Sequence, residues 1–132
     1  MSGPVAIAVV LVIHEHRALV GRRPLTAVSA AGYAEFPGGK IEPAETAEAA
    51  ARRECWEETG LEIVVEGLIA SDRVTDTNSR IDFFSGRLAR PACTVPRPPF
   101  TWLTAEELAG CRFPPANTAA IQWLLRKISS PH

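Results

Sequence analysis

The amino-acid sequence predicts an α/β fold with a mixed β-sheet. It contains several apolar, β-branched runs that are typical of strands, and it contains segments with clear helix start and stop signals. The connections between neighbouring strands are short and hairpin-like, whereas parallel strands need long crossovers, so a mixed sheet is favoured over an all-parallel one. The length of 132 residues suits one domain with one core, spanning residues 1–132.

The predicted strands begin near the start of the chain. Val5 to Ile13 is rich in β-branched residues, and the following run "ALVGRR" is short and apolar, so the two are predicted to form a hairpin around "HEHR". His14 and His16 are two residues apart, but no third ligand is near, so we interpret them as part of a polar turn. Residues 61–71 and 80–89 are two further predicted strands, separated by the polar "DRVTDTNS".

Two segments are predicted to be loops. Residues 24–36 are rich in small side chains and lead into a turn at 37–39, "PGG". Residues 90–99, "RPACTVPRPP", contain four prolines, and proline cannot donate a ladder hydrogen bond, which excludes a central strand.

The helix signals are local and specific. Thr46 is a predicted N-cap, Ala47 to Glu58 is dense in helix-forming residues, and Gly60 is placed to end the helix in a left-handed conformation. Thr104 followed by Glu107 is a capping-box signature for a short second helix.

A third helix is predicted near the end of the printed sequence. Asn117 is its expected N-cap, after the proline-containing "FPP". Its apolar positions have amphipathic helical spacing, and they are Ala120, Ile121, Leu124, Leu125 and Ile128.

Charge and cysteine content exclude several classes of protein. The net charge of −1 gives no global field for nucleic acid or membranes, so we expect no direct nucleic-acid binding and no membrane association. The three cysteines are odd in number and lack CxxC spacing, which argues against a disulfide framework or structural zinc. The longest apolar run is too short to span a bilayer and lacks the features of a signal peptide. We therefore expect a cytoplasmic protein.

The first helix carries a cluster of glutamates. Glu54, Glu57 and Glu58 fall within one sector of roughly 100° on its surface. One interpretation is a solvated acidic face, and the other is a site for a hard cation such as Mg²⁺, which prefers oxygen ligands. Three small side chains on the same side are expected to leave room for such an ion, and they are Ala47, Ala50 and Ala51.

A different stripe of the same helix holds Glu48, Arg52 and Trp56. The spacing of Glu48 and Arg52 suits an exposed ion pair. For Trp56 we prefer ordinary packing to a dimer contact.

The wider constellation resembles a known family. Gly39, five residues, Glu45, seven residues and then "RECWEETGL" from Arg53 to Leu61 resemble the Nudix box, with Cys55 in its apolar position. This resemblance to the Nudix hydrolases implies the Nudix fold, in which a mixed β-sheet is sandwiched between α-helices.

The resemblance also implies roles for the box residues. Arg53 would orient the carboxylates, Glu54 would act as general base, and Glu45 together with Gly39 would support the network. The bound ion would be Mg²⁺ or Mn²⁺, which neutralises phosphate charge and lowers the pKa of a bound water. Its implied ligands are the carbonyl of Gly38 and the carboxylates of Glu54, Glu57 and Glu58; the catalytic set is Glu54, Arg53 and Glu57.

Two further stretches resemble the MutT branch of the family, which removes oxidised guanine nucleotides from the precursor pool. These are "EFPGGKIE", which runs into the box, and "FPPAN", residues 113–117. The resemblance implies that Asn117 reads the purine edge, for which an amide offers both a donor and an acceptor; the alternative is that Asn117 only caps the helix. The same resemblance makes four other residues candidates for nucleotide binding, and they are Arg23, Glu35, Phe36 and Arg80. For the arginines, a solvated surface role is the alternative.

The chain departs from the MutT pattern in one loop. MutT-type enzymes carry an additional acidic metal ligand there, whereas no Asp or Glu lies between Asp82 and Glu106. Arg90 and Arg97 are alternative candidates in this loop for contacts with substrate phosphates.

These observations lead to one main functional hypothesis. We expect a Mg²⁺-dependent pyrophosphohydrolase, monomeric or homodimeric, that splits 8-oxo-dGTP or a similar nucleoside triphosphate into a monophosphate and pyrophosphate. The alternatives are a Nudix enzyme acting on CTP, dCTP, dinucleoside polyphosphates or nucleotide sugars, and a nucleotide-sensing module without turnover.

Overall fold

The computed structural model describes residues 5–27, 31–74 and 78–129. Within these ranges the chain forms seven strands, three α-helices and one short 3₁₀ turn. In chain order they are β1 (Ala6–His14), β2 (Arg17–Arg22), β3 (Ala34–Glu35), β4 (Gly38–Lys40), α1 (Ala47–Thr59), β5 (Ile63–Val74), β6 (Ser79–Leu88), β7 (Thr101–Leu103), α2 (Ala105–Ala109), the 3₁₀ turn (Pro115–Asn117) and α3 (Thr118–Ser129).

The strands form one mixed sheet. Its main path runs β3-β2-β1-β6-β5, while β4 pairs with β1 and β7 pairs with β2. Strands β1 and β6 are parallel, and the other pairs are antiparallel. The predicted α/β fold with a mixed sheet is therefore confirmed.

Helices cover both faces of this sheet because side chains alternate along its strands. On β1, Ala8 and Val10 face α1 and pack in a core that includes Cys55. Leu11, one residue further on, faces the other side and packs in a second core with Leu124 of α3. Strand β1 is thus buried on both faces, which explains its continuous apolar run.

The predicted hairpin and the first helix are both present. His14 of β1 pairs with Arg17 of β2, and the intervening polar turn has two residues at positive φ. The Thr46 side chain accepts a hydrogen bond of 3.1 Å from the backbone N–H of Ala49. Gly60 has φ of 76° and donates its N–H to the carbonyl of Trp56. Both caps of α1 are as predicted.

The capping box of α2 is also confirmed, whereas the start of α3 differs from the prediction. Thr104 and Glu107 exchange the two hydrogen bonds of the box. Asn117, the predicted N-cap, instead closes the 3₁₀ turn, and α3 begins at Thr118. No side-chain cap hydrogen bond starts this turn within the described residues. The expected apolar face of α3 is confirmed, with Ala120, Leu124 and Ile128 buried.

Three loop assignments are corrected. Ala34–Glu35, within the predicted loop 24–36, form β3 and pair with β2. The predicted turn at 37–39 is largely strand, because Gly38 and Gly39 pair with Val9 and Ala8 of β1. Strand β5 also extends to Val74, well into the polar segment that was expected to separate it from β6. Residues 75–77 of that segment, and residues 28–30 of the small-residue loop, lie outside the described residues.

The prolines of residues 90–99 exclude regular structure as expected, since this segment contains no strand or helix. The three cysteines, Cys55, Cys93 and Cys111, are free thiols. Within the described ranges, no helix has the length and apolar character required to cross a membrane.

Candidate active site

Helix α1 places its acidic residues at the margin of the buried interface. Ala50, Ala51 and Cys55 are fully buried against the sheet. Glu54 and Glu58 are partly buried beside them. The small alanines were expected to leave space for an ion, but the sheet fills that space. They serve instead to bring α1 close to β1 and β4.

The centre of the site is the guanidinium of Arg53. Its Nε and Nη2 hold both carboxylate oxygens of Glu45 at 2.8 and 3.0 Å. Its Nη1 donates to Glu54 at 3.0 Å and to Glu57 at 3.1 Å. Nη2 also donates to the carbonyl of Lys40 at 3.0 Å. All five N–H donors of the side chain are used, so its position is fixed by three parts of the chain.

This arrangement changes the acidity of its members. Hydrogen bonds from Arg53 hold the pKa of Glu45 below its ordinary value, and a bond from the backbone N–H of Glu42 acts in the same direction. The pKa of Arg53 is raised, mainly through its hydrogen bonds to Glu45. The pair is therefore charged at every pH at which the protein would work.

Gly39 allows the carboxylate of Glu54 to approach β4. A Cβ built at Gly39 would lie 2.5 Å from Oε2 and 2.7 Å from Oε1 of Glu54. Strand pairing with Ala8 fixes the Gly39 backbone, so it cannot move aside. Any larger side chain would displace the carboxylate of Glu54. This clash explains why glycine occupies this position of the box.

Glu58 is held by the neighbouring residue of β4. The backbone N–H of Gly38 donates to Oε1 of Glu58 at 3.2 Å. Burial raises the pKa of Glu58 to about 8, which the hydrogen bond from Gly38 opposes and the nearby Glu54 carboxyl reinforces. Glu35 adds a smaller repulsion. In the metal-free protein Glu58 therefore keeps its proton at neutral pH.

The donor chemistry of this cluster suits a hard divalent cation. Carboxylate oxygens are the ligands that Mg²⁺ and Mn²⁺ prefer, and a cation between Glu54 and Glu58 would offset the repulsion that raises the pKa of Glu58. In the described part of the chain no three acidic, His or Cys side chains already surround a common point. Glu54 and Glu57 are turned towards Arg53 while Glu58 is turned towards Gly38. The carboxylates share one sector of α1, and the carboxyl groups of Glu54 and Glu58 lie within hydrogen-bonding reach of each other.

Two of the predicted nucleotide-binding residues form a pair at the end of the sheet. Arg23 lies 3.7 Å from Glu35, and each side chain is 38% exposed. Glu35 acts electrostatically on Glu58, so this pair lies on the side of α1 that carries the acidic cluster.

The other predicted nucleotide-binding residues have different surroundings. Phe36 is buried and stacks on Phe113, with ring centroids 4.9 Å apart, so it presents little surface to a ligand. This stack joins β3 to the segment that ends at Asn117, which is partly exposed. Arg80 donates to Asp82 at 3.1 Å on β6 and is therefore engaged within the protein.

The two arginines of the proline-rich loop also have partners within the protein. Arg90 lies 3.3 Å from Glu62, and Arg97 donates to the backbone carbonyl of Glu57. The Arg90 side chain is nevertheless 74% exposed, and Arg97 is also exposed, so contacts of either residue with substrate phosphates stay a prediction. No local pattern predicts the contact between Arg97 and α1, because it joins residues 40 positions apart.

The opposite side of α1 differs from what the sequence predicts. Trp56 is 55% exposed rather than packed. Among the described residues, no ion pair joins Glu48 to Arg52. A cavity of about 470 Å³ lies here, lined by Ala49, Arg52, Arg53, Trp56, Glu62 and Ile63. Trp56 lies about 160° around the helix from Glu54, and Arg53, which bonds to Glu54 and Glu57, also lines this cavity.

A family comparison matches nearly the whole chain. The model of the NUDIX domain matches residues 3–126. The chain belongs to the Nudix family. It is a Nudix hydrolase, an enzyme of the class that acts on phosphoric anhydrides, and enzymes of this family generally use divalent metal ions. None of the curated proteins is close enough in sequence to count as a relative.

Solved structures from several bacteria share the fold. A Nudix hydrolase from Nitrosomonas europaea is 17% identical with a TM-score of 0.78, covering 98% of this chain and 75% of the other. A structure from a study of MutT from Aliivibrio salmonicida and Vibrio cholerae is 23% identical with a TM-score of 0.73, covering 95% and 99%. An ADP-ribose pyrophosphatase from Streptococcus suis is 17% identical with a TM-score of 0.72, covering 98% and 96%. At these identities the likeness shows the Nudix fold and leaves the substrate open.

Proposed function

We propose that this Nudix hydrolase is a Mg²⁺- or Mn²⁺-dependent nucleoside triphosphate pyrophosphohydrolase, with 8-oxo-dGTP or a closely similar nucleotide as substrate. The products are the nucleoside monophosphate and pyrophosphate, and the enzyme would serve DNA repair by cleansing the nucleotide pool. It acts on free nucleotides in the cytoplasm as a monomer or homodimer. The observation that carries the proposal is the Arg53 network, which holds Glu45, Glu54 and Glu57 in one cluster beside Glu58.

The acidic cluster supplies the binding groups for the metal. Glu54, Glu57, Glu58 and the carbonyl of Gly38 would hold the ion, which when bound neutralises the phosphates and lowers the pKa of a water. One oxygen of each carboxylate accepts a hydrogen bond from Arg53 or from Gly38.

Glu54 is the proposed general base. Its Oε2 is held by Arg53, which leaves Oε1 to take the proton of the attacking water. The oxygen of that water forms a bond to phosphorus, the anhydride bond breaks, and pyrophosphate leaves. Glu54→Gln removes the proton acceptor but preserves the shape of the side chain. We expect turnover to fall by roughly 10²- to 10⁴-fold with little change in melting temperature.

Base selection is assigned to Asn117. Its side chain makes no hydrogen bond with the rest of the described chain, and it does not cap α3. The amide donor and acceptor are therefore available to a purine edge, and a base that left them unpaired would bind less well. The Phe36 and Phe113 stack fixes the segment that leads to Asn117.

A second candidate is Nudix hydrolysis of a different anhydride. The loop of residues 90–99 lacks the acidic ligand expected of MutT enzymes, and its Arg97 is bound to α1. One structure with the same fold is named an ADP-ribose pyrophosphatase. The substrates to compare are therefore CTP, dCTP, a dinucleoside polyphosphate and nucleotide sugars, including ADP-ribose.

The test is kcat/KM across this panel, 8-oxo-dGTP and dGTP, with Mg²⁺ and with Mn²⁺. A strong preference for 8-oxo-dGTP over dGTP that is lost in Asn117→Ala supports the proposal. Equal rates for the two guanine nucleotides, with another compound far better, would favour the second candidate. Tight binding of a nucleotide with no product from any compound would indicate the sensing module instead.

A further inference from the structure

The proline-rich loop is attached to the end of α1 through one residue. The backbone N–H of Arg97 donates to the carbonyl of Thr59 at 2.9 Å. The Nη1 of Arg97 donates to the carbonyl of Glu57 at 2.9 Å. The guanidinium also lies against Gly60, where an added Cβ would be 3.1 Å from Nη2. Arg97 therefore makes two hydrogen bonds to the last turn of α1 and covers its C-cap.

These contacts satisfy helix groups that have no partner within the helix. The last four carbonyls of an α-helix lack intrahelical donors, and in α1 they belong to residues 56–59. Gly60 donates to the first of these, at Trp56. Arg97 satisfies two of the remaining three, at Glu57 and Thr59.

The positive charge of Arg97 also lies at the C-terminus of α1, where it is favourable. A cation at a helix C-terminus interacts favourably with the helix dipole. The last turn of α1 contains no basic residue of its own, and it carries two adjacent carboxylates, Glu57 and Glu58. Arg97 supplies from another segment the positive charge that the helix sequence lacks.

We infer that Arg97 is a positioning residue of the metal site. It fixes the last turn of α1 so that Glu57 and Glu58 keep the orientation in which they bind the ion. The inference rests on the proposed function, since it assigns Arg97 to the same site. In MutT-type enzymes this loop carries an additional metal ligand. Here it would instead stabilise Glu57 and Glu58 through the last turn of α1.

The position of Glu57 and Glu58 explains why the contacts of Arg97 matter. The beginning of α1 is fixed by Thr46, and its middle by the bonds from Arg53. Arg53 and Gly38 hold the side chains of Glu57 and Glu58, whereas Arg97 bonds to the backbone carbonyls of the last turn, where helix ends fray. Loss of the Arg97 contacts would let both Glu57 and Glu58 move. Partners that orient metal ligands typically contribute 10- to 100-fold in metal affinity.

The experiment measures Mn²⁺ binding to the substrate-free protein, by calorimetry or electron paramagnetic resonance. We expect Arg97→Ala to weaken binding about tenfold, and Arg97→Lys to weaken it less because the charge is retained. Arg90→Ala is the matched control from the same loop: the Arg90 side chain is exposed and forms an ion pair with Glu62, away from the acidic cluster, so Mn²⁺ affinity should not change. Hydrogen exchange at the amides of residues 57–60 should rise in Arg97→Ala alone.

The outcomes separate this inference from the proposed function. If the wild-type protein binds no Mn²⁺, both are overturned. If the wild type binds Mn²⁺ and a folded Arg97→Ala binds it equally well, only the positioning role is overturned, even where the melting temperature falls. If Arg97→Ala does not fold, Arg97→Met takes its place, because it keeps the apolar stem and removes the donors and the charge; affinity equal to wild type in that variant overturns the inference.

Discussion

Raising the pH should destabilise the metal-free protein through Glu58. The pKa of this carboxyl is about 8 in the folded protein and near 4.5 when exposed to water. The folded state therefore holds a proton that the unfolded state releases across this interval, and stability falls as pH rises. The contribution of protonated Glu58 is complete below pH 4.5 and is lost as pH rises through about 8.

The size of the effect follows from this difference in pKa. Each pH unit by which a pKa differs between the folded and unfolded states corresponds to somewhat more than 1 kcal/mol. Because Glu58 is only about half buried, solvent screening reduces the total to about 2 kcal/mol. For a domain of this length that is a decrease of roughly 5 to 10 °C in melting temperature.

The assay is thermal unfolding between pH 5.5 and 8.5 in the presence of a chelator. This window lies above the range in which Glu45 and Glu107 act, since their pKa values are lowered and their stabilisation is lost only as the pH falls. Glu58→Gln is the control, because its amide oxygen can still accept from Gly38. A melting temperature that does not change with pH, or that falls equally in wild type and Glu58→Gln, would refute the reasoning.

Three further substitutions test the packing and hydrogen bonds of the site. Gly39→Ala should reduce kcat by about 100-fold, because a 1 Å misplacement of a catalytic group has that cost. Gly67→Ala is the control, since no atom lies within 4 Å of a Cβ added at Gly67. Equal rates for the two variants would contradict the steric argument. Arg53→Lys cannot make five planar hydrogen bonds, so kcat should fall by at least about tenfold with the fold retained by circular dichroism; a rate near that of wild type would contradict it. Thr59→Val removes the acceptor for the N–H of Leu61, and denaturant unfolding should show a loss of about 1–3 kcal/mol; Thr59→Ser keeps the hydroxyl and should lose less.

The parts of the fold that were predicted correctly have local causes. Helix α1 has Thr46 before it and Gly60 after it, and both caps act within four residues. The capping box of α2 is equally local. Strand β4 was interpreted as a turn, because two glycines after a proline favour one. It is a strand because it pairs with β1, some 30 residues earlier, and local sequence does not contain that information.

The site shows the same division. Helical spacing predicted that Glu54, Glu57 and Glu58 share one sector of α1. The bonds from Arg53 to the first two are local to α1. The bond from Gly38 to the third could not be predicted, because it depends on where β4 lies. The guanidinium of Arg97 had been a candidate phosphate contact, yet the fold places it at the end of α1.

Three carboxylates close together on one helix are tolerated because each accepts a hydrogen bond, two from Arg53 and one from the backbone of Gly38. Arg53 connects two of them to the segment before α1, and Gly38 of β4 holds the third. Arg97 secures the backbone of the turn from a loop about 40 residues further along the chain. Because β4, the start of α1 and this loop meet only in the folded domain, the unfolded chain lacks the site. A divalent metal held by these carboxylates would therefore bind the folded state preferentially and stabilise it, which would couple metal affinity to folding.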